Sequence, residues 1–533
     1  MSQLLHHLID QQAEQNPLAT ALHYKNEQLN YQQLRFATHR FAQLLGQLGV
    51  HQNDRVAVYL PKQLETVAAL FGTSCAGAVM VPINPQLKPL QVEHILRDAG
   101  AKILVTSRQR WQQIQQQVEF EQTLSAVVLI DTEQPTTAEN LGSITIHSWQ
   151  LSTAPTSLES SNRAAHELAA LLYTSGSTGQ PKGVMLSHQN MVTGAHSVAQ
   201  YLNNHENDRL LALLPLSFDY GFSQLTTAFS VGASVVLFDY LLPRDVIKAL
   251  HHYQITGLAA VPPVWIQLSQ LSWPEALPAL RYWTNSGGAM PTTTLQQLRQ
   301  CMPHATPYLM YGLTEAFRST FLPPTLIDQK PNSIGRAIPN AELFVINQHG
   351  QPAQPGEVGE LVHRGPLVAQ GYWQAPEKTA QRFRPLPSQL SQDPNERAVY
   401  SGDQVTIDED GDIYFVGRND EMIKCSGYRI SPQELEDTLY AVPALGEVVA
   451  IGAPHPTLGQ GIIIIYSAKP EHELNQQQLQ NVCRQQLPTF MQPQAFIQQT
   501  ALPRNANGKI DRSGLSQQFN DFFSRAAKDN CNE

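Results

Sequence analysis

The chain has 533 residues, 42% hydrophobic and 15% charged, with a formal net charge of −10. That length supplies several domain-sized units, and the ordinary apolar share excludes wholesale disorder. An acidic balance without any Lys/Arg run makes a poor nucleic-acid binder. The longest strongly apolar run, Gly461–Ala468, is strand-sized, far below the ~18–20 residues of a membrane span.

The N-terminus lacks a basic start and a small-residue cleavage site, so no secretory signal is expected. Five scattered cysteines (Cys75, Cys301, Cys425, Cys483, Cys531) form no metal or disulfide spacing. They read as reduced thiols, mostly core fillers, of a cytoplasmic protein.

In chain order, Tyr31–Leu48 is predicted helical, with Leu34, Ala37, Phe41, Leu45 and Leu48 recurring every three or four residues. Arg55–Leu60, Ile103–Ser107, Val127–Asp131 and Ser234–Phe238 are strand-like and continuously apolar, as where both sheet faces are covered. The Gln-rich Trp111–Gln122 reads as a surface helix. Alternating strands and helices predict an α/β fold: a large N-terminal domain of helix-flanked, mostly parallel sheets.

Arg382–Ser401, rich in Pro, Ser and Asn, reads as a long surface loop. After it the pattern restarts as a smaller α+β unit, so the domains are placed at 1–419 and 420–533. In the second, Ser431-Pro432-Gln433-Glu434 is a capping box with proline at the first helical position. Strands Val448–Gly452 and Ile462–Ser467, a helix near Gln478–Leu487 and a Gly-Lys turn at 508–509 follow.

The most informative stretch is Tyr173-Thr-Ser-Gly-Ser-Thr-Gly-Gln-Pro-Lys-Gly183. Its glycines allow tight turning, Thr174, Ser175, Ser177 and Thr178 bring hydroxyls, and Lys182 brings a charge. Backbone N–H groups, hydroxyls and an ammonium are what polyphosphate oxygens require. The spacing is not a Walker loop, because Lys182 lies between Pro181 and Gly183.

This loop resembles the signature of adenylate-forming enzymes: acyl-CoA synthetases, adenylation domains of nonribosomal peptide synthesis, and luciferases. Ser286-Gly-Gly-Ala289, Tyr311-Gly-Leu-Thr-Glu315, Tyr400-Ser-Gly-Asp403, Gly417-Arg418 through Gly427-Tyr428-Arg429, and Asn507-Gly-Lys-Ile-Asp511 follow in the family's order. The resemblance covers essentially the whole chain and implies ATP and Mg²⁺. It implies that Thr174, Ser175, Gly176, Ser177, Thr178, Gly179 and Lys182 hold phosphates, and that Gly287, Gly288 and Ala289 lie against the adenine edge. Tyr311, beside Gly312, would stack on adenine. Thr314 would hold the adenylate phosphate, Glu315 would help bind Mg²⁺, and Asp403 with Arg418 would hold the ribose or phosphate.

Lys509 alone reads as a turn lysine; by resemblance it is catalytic, reaching the substrate carboxylate and α-phosphate from the small domain. A cation there offsets the repulsion of two reacting anions. Asp420 takes the family's hinge position, and Gly427 would line the tunnel for a pantetheine arm. Cys425, nearby, has no partner that would make it a nucleophile.

For the acid, Leu214–Ser223 falls where peptide-synthetase adenylation domains carry an aspartate for the substrate ammonium, here Asp219. Tyr220, Ser223, Met310 and Arg318 are placed in the same pocket. If Arg318 pairs with Asp219, the need for a ligand ammonium disappears. Two stand-alone groups are similar: enzymes loading L-proline onto a free carrier protein, and acyl-CoA ligases associated with exosortase systems, which act on non-amino acids. Asp219 suits the first and Tyr311–Pro324 resembles the second. The acceptor is expected to be the phosphopantetheine of a separate carrier protein, or of CoA.

Overall fold

The computed structural model describes residues 4–116, 124–132, 143–157, 163–174, 180–273, 277–393, 396–418, 422–469, 474–504 and 510–529, without the side chains of 418 and 526–529. Ser175–Gly179, Asp420 and Lys509 lie outside the described residues, as do Cys531 and the Gly-Lys turn.

Among the described residues the strands form three sheets. The first has seven strands, in the order Thr145–Ser148, Ala126–Leu129, Ala101–Thr106, Arg55–Tyr59, Val79–Pro82, Leu168–Thr174, Lys182–Ser187. All its pairs are parallel except the last, an antiparallel hairpin whose connection is the Ser/Thr/Gly loop. The second sheet has 14 strands. Its parallel half includes Arg209–Ala212, Gly257–Ala260, Tyr282–Asn285 and Thr306–Tyr311. From Thr320–Leu322 to Ile413–Arg418 the pairing is antiparallel.

The predicted helix runs Tyr31–Gln47, opened by a capping box between Asn30 and Gln33. It packs on Leu64–Cys75, which is buried over nearly all its length. The two approach closely at Gly72, where a Cβ would lie 2.8 Å from the Thr38 carbonyl oxygen. Apolar faces of both sheets share this one core, so the sheets hold a fixed relative position.

The small lobe is a five-stranded sheet with helices, as an α+β unit. Its long hairpin, Leu445–His455 with Gly459–Ala468, takes in both predicted strands, and Gln476–Gln486 is the predicted helix. Cys75, Cys425 and Cys483 are buried and Cys301 is half-buried, all four outside any disulfide.

Three local readings change. Only the middle of Arg382–Ser401 is loop: helix Pro376–Arg382, strand Phe383–Pro385 and strand Arg397–Ile407 occupy its ends. Strand Phe383–Pro385 is held by pairing with Arg397–Val399, a contact that composition alone cannot reveal. The Gln-rich helix is Arg108–Gln115, and 117–122 lie outside the described residues. A helix does start at Pro432, but Ser431 makes no capping bond and Glu434 turns to Gln91 of the large lobe instead. Interface geometry overrides the local motif.

Candidate active site

The parallel strands of both sheets end on one side, where α/β proteins place ligands. A cavity of about 790 Å³ lies there, with the two central motifs on its wall: Ser286–Ala289 after one strand and Tyr311–Glu315 after the next. That volume suits a nucleotide-sized ligand.

Thr174 and Lys182 face each other in register across the mouth of the phosphate hairpin. Thr174 Oγ1 is buried without a hydrogen-bond partner among the described residues. Such an orphan is costly unless a ligand supplies the partner. Lys182 Nζ lies 3.5 Å from Glu315 Oε1 and 3.7 Å from the Tyr372 ring centre. Burial pulls the ammonium down to about 8, against the pull of Glu315, so it stays charged at neutral pH.

Burial pushes the Glu315 carboxyl up, but Lys182, Arg382 and Arg429 outweigh it and hold the group at about 2. The Tyr372 hydroxyl donates to Oε1 at 2.7 Å, while Oε2 accepts no bond from the described residues. A buried, permanently ionised carboxylate with one oxygen uncommitted fits Mg²⁺, which takes one or two carboxylates beside substrate phosphates.

Tyr311 donates its hydroxyl to Asp403, and its ring stacks on His363 with centres 6.5 Å apart. Asp403 pairs in register with Arg418 across adjacent strands. Residues 92 positions apart are thus brought to one point. Gly287 has φ +82°, a conformation that favours glycine, and Thr314 is buried in the short 3₁₀ turn Thr314–Ala316.

Sequence reasoning missed Asn285, Tyr372 and Arg382. Asn285 Oδ1 is buried without a partner among the described residues. Arg382 donates to the Ser401 carbonyl from the stretch taken as loop. A signal existed only for Asn285, adjacent to Ser286; the other two reach the site through the fold.

At the acid end, Asp219 starts helix Asp219–Val231 and is 8% exposed. Arg318 is 5% exposed, donates from Nη2 to Ser223 Oγ at 2.5 Å and lies 4.5 Å over the Tyr220 ring. The two charges do not form an ion pair, although Arg318 is near enough for its charge to oppose the burial that raises the Asp219 carboxyl. Met310 Sδ accepts from Tyr201 at 2.9 Å, and Ser223 serves to hold Arg318. Behind Arg318 the free space is about 10 Å³, room for one water at most.

The family model described as AMP-binding enzyme matches residues 9–373, and that of the AMP-binding enzyme C-terminal domain matches 434–509. This chain belongs to the AMP-binding enzyme family. Malpibaldin synthetase of Mortierella alpina is 30% identical over 531 residues, 96% of this chain and 9% of that protein. Tyrocidine synthase 1 of Brevibacillus parabrevis is 29% identical over 523 residues, 96% of this chain and 45% of that protein. This chain spans 6% to 45% of the length of eight such curated relatives.

Among solved structures, an o-succinylbenzoate CoA synthetase from Bacillus subtilis shares the fold at TM-score 0.80 and 24% identity, over 96% of this chain and 98% of that one. The anthranilate CoA ligase AuaEII, solved with anthranoyl-AMP, aligns at TM-score 0.69 and 25% identity, covering 97% of each chain. Among the described residues, no helix is long and apolar enough to cross a membrane.

In this AMP-binding enzyme the small lobe closes one side of the cavity. Hairpin Ile423–Cys425 and Tyr428–Ile430 brings Gly427 against Val261 and Tyr428 near Phe218, and Tyr428 stacks on Phe490 with centres 3.8 Å apart. Gln91 donates to Glu434 across the lobe boundary at 2.6 Å. Burial, opposed by the Gln91 amide, raises Glu434 from 4.5 to about 7.

The docked lobe therefore keeps a proton that a solvated Glu434 releases. Docking is at full strength below about pH 4.5, weakens as pH rises to about 7 and levels off above it. Glu434→Gln is expected to flatten this profile, read as energy transfer between dyes on the two lobes. An unchanged profile assigns the linkage to another group.

Proposed function

We propose that the protein activates a carboxylic acid with ATP and then passes the acyl group to a phosphopantetheine thiol. A carboxylate oxygen attacks the α-phosphorus and the bond to pyrophosphate breaks; the thiol sulfur then attacks the acyl carbon and AMP leaves. The observation that carries this reading is one cavity joining the phosphate hairpin, Glu315, Tyr311 and the small-lobe hairpin, with Asp403 bonded to Tyr311.

Thr174, Lys182 and the intervening hydroxyl loop bind the triphosphate, Tyr311 and Ser286–Ala289 flank adenine, and Asp403 with Arg418 accepts or orients the ribose. Glu315 would hold Mg²⁺, which neutralises phosphate charge when bound. Thr314 orients the α-phosphate, and Lys509 meets both reacting anions. The boundary near 419–420, with Asp420 as hinge, lets the small lobe turn between the two half-reactions, and Gly427 borders the path of the thiol arm.

The acid is best read as an amino acid, because Asp219 is buried in the pocket without an ion-pair partner among the described residues. L-proline meets the size limit set at Arg318, with a separate carrier protein as acceptor. The alternative, an AMP-forming CoA ligase for a non-amino acid, is supported by the charge of Arg318 near Asp219; the closed space behind Arg318 opposes a long fatty chain. ATP–pyrophosphate exchange across proline, other amino acids and fatty acids tests the reading. Asp403→Ala is expected to raise the KM for ATP at least about tenfold, the worth of one lost charged hydrogen bond of ~1.5 kcal/mol. Absence of exchange with every acid refutes acid activation.

A further inference from the structure

We propose that the acid end of the cavity is built for a short amino dicarboxylic acid, its ammonium met by Asp219 and its second, unreacting carboxylate met by Arg318. This rests on the acid-activation reading, keeps its amino acid, and puts a second carboxylate in place of the proline ring.

Most polar groups of the pocket are already satisfied. Tyr220 and Thr284 hydroxyls bond each other at 2.5 Å, Tyr201 donates to Met310, and Ser223 is taken by Arg318 and the Tyr220 carbonyl. Asp219, whose carboxylate takes backbone N–H bonds at the helix start, and Arg318 are the two charged groups left without a counter-charge among the described residues. A guanidinium has five N–H donors, and Ser223 takes one. Neither charge forms an ion pair with a described residue, yet both are more than nine-tenths buried. Buried charges are retained when something pairs with them.

Arg318 is also held rigidly. Phe317 and Arg318 have φ of +43° and +127°, conformations that non-glycine residues adopt at a cost and that cluster at functional sites. The Phe317 ring fills the space beside Gly194, where a Cβ would lie 2.4 Å from it, so the segment cannot relax outward. With about 10 Å³ behind it, Arg318 forms the end wall of the pocket. A ligand therefore meets a planar cation at its far end, the geometry that recognises a carboxylate.

A monocarboxylic amino acid such as L-proline or L-leucine leaves Arg318 desolvated and unmatched. Succinate or glutarate satisfies Arg318 and leaves Asp219 unmatched. Only an acid with an ammonium and a carboxylate besides the reacting one answers both.

The test is ATP–pyrophosphate exchange by the full chain with L-aspartate, L-glutamate, L-proline, L-leucine, succinate and glutarate. The amino dicarboxylic acids are expected to exceed both other classes in kcat/KM by at least about thirtyfold, the lower range for truncating one partner of a buried charge pair. Arg318→Gln is expected to abolish that margin over proline and leucine, and Arg318→Lys to restore part of it. The ranking in the unaltered protein decides the matter even where a variant does not fold. Proline or leucine matching or exceeding aspartate and glutamate overturns this inference and leaves acid activation intact, as does equal exchange with succinate. No exchange with any acid overturns acid activation itself.

Discussion

Replacing Lys509 with alanine is expected to slow acyl-adenylate formation by at least about a thousandfold while leaving thioester formation from supplied acyl-adenylate within a few-fold of normal. The first step brings a carboxylate against a phosphate, and a positioned cation offsets that repulsion where charge develops; losses of 10²–10³ or more are usual for such groups. The second step has a neutral thiol or thiolate attacking an acyl carbon and does not need the same cation. ATP–pyrophosphate exchange reads the first step, and single-turnover thioester formation from isolated acyl-adenylate reads the second. Equal loss in both removes Lys509 from the first step and makes it structural.

The mirror-image outcome is expected at Gly427. Its φ of +83° already disfavours a side chain, and a Cβ would sit 3.0–3.1 Å from Val261 atoms of the large lobe. Gly427→Ala therefore meets both a left-handed backbone cost of ~1–2 kcal/mol and a contact that must give way. Thioester formation is expected to fall about tenfold, and further for Gly427→Leu, whose branch would enter the cavity wall. Adenylate formation is expected to change little if that step uses another lobe orientation. Comparable loss of pyrophosphate exchange would sink the assignment of the hairpin to the thiol step. Together the two variants separate the half-reactions by position: one late in the small lobe's sequence, one in its first hairpin.

The proton on Glu434 belongs to the same interface. Gly427, Tyr428 and Glu434 touch Val261, Phe218 and Gln91, so a change in docking is felt along one continuous seam. A pH-dependent thioester step without pH-dependent exchange would place that linkage in lobe docking.

Local sequence determined much here because the phosphate loop, the glycine pair at 287–288 and Tyr311–Glu315 carry their chemistry in consecutive residues. Their placement at strand ends was seen only in the folded chain, where Leu168–Thr174, Tyr282–Asn285 and Thr306–Tyr311 lead into them. The start of the helix at Pro432 was legible, because proline at the first turn is a local effect. Whether Ser431 capped it was not, since the competing partner of Glu434 is Gln91, 343 positions away.

The tertiary structure alone decided the rest. Tyr372 and Arg382 reach Glu315 and Ser401 because antiparallel strands fold the 370–403 segment back over the parallel sheet. The relation of Asp219 to Arg318 depended on a strained turn at 317–318 and on the hydroxyl of Ser223, none of which leaves a periodic trace. Chemistry held in adjacent residues is written in the chain, whereas charge balance in a buried pocket depends on distances between segments, which are fixed only when the core packs.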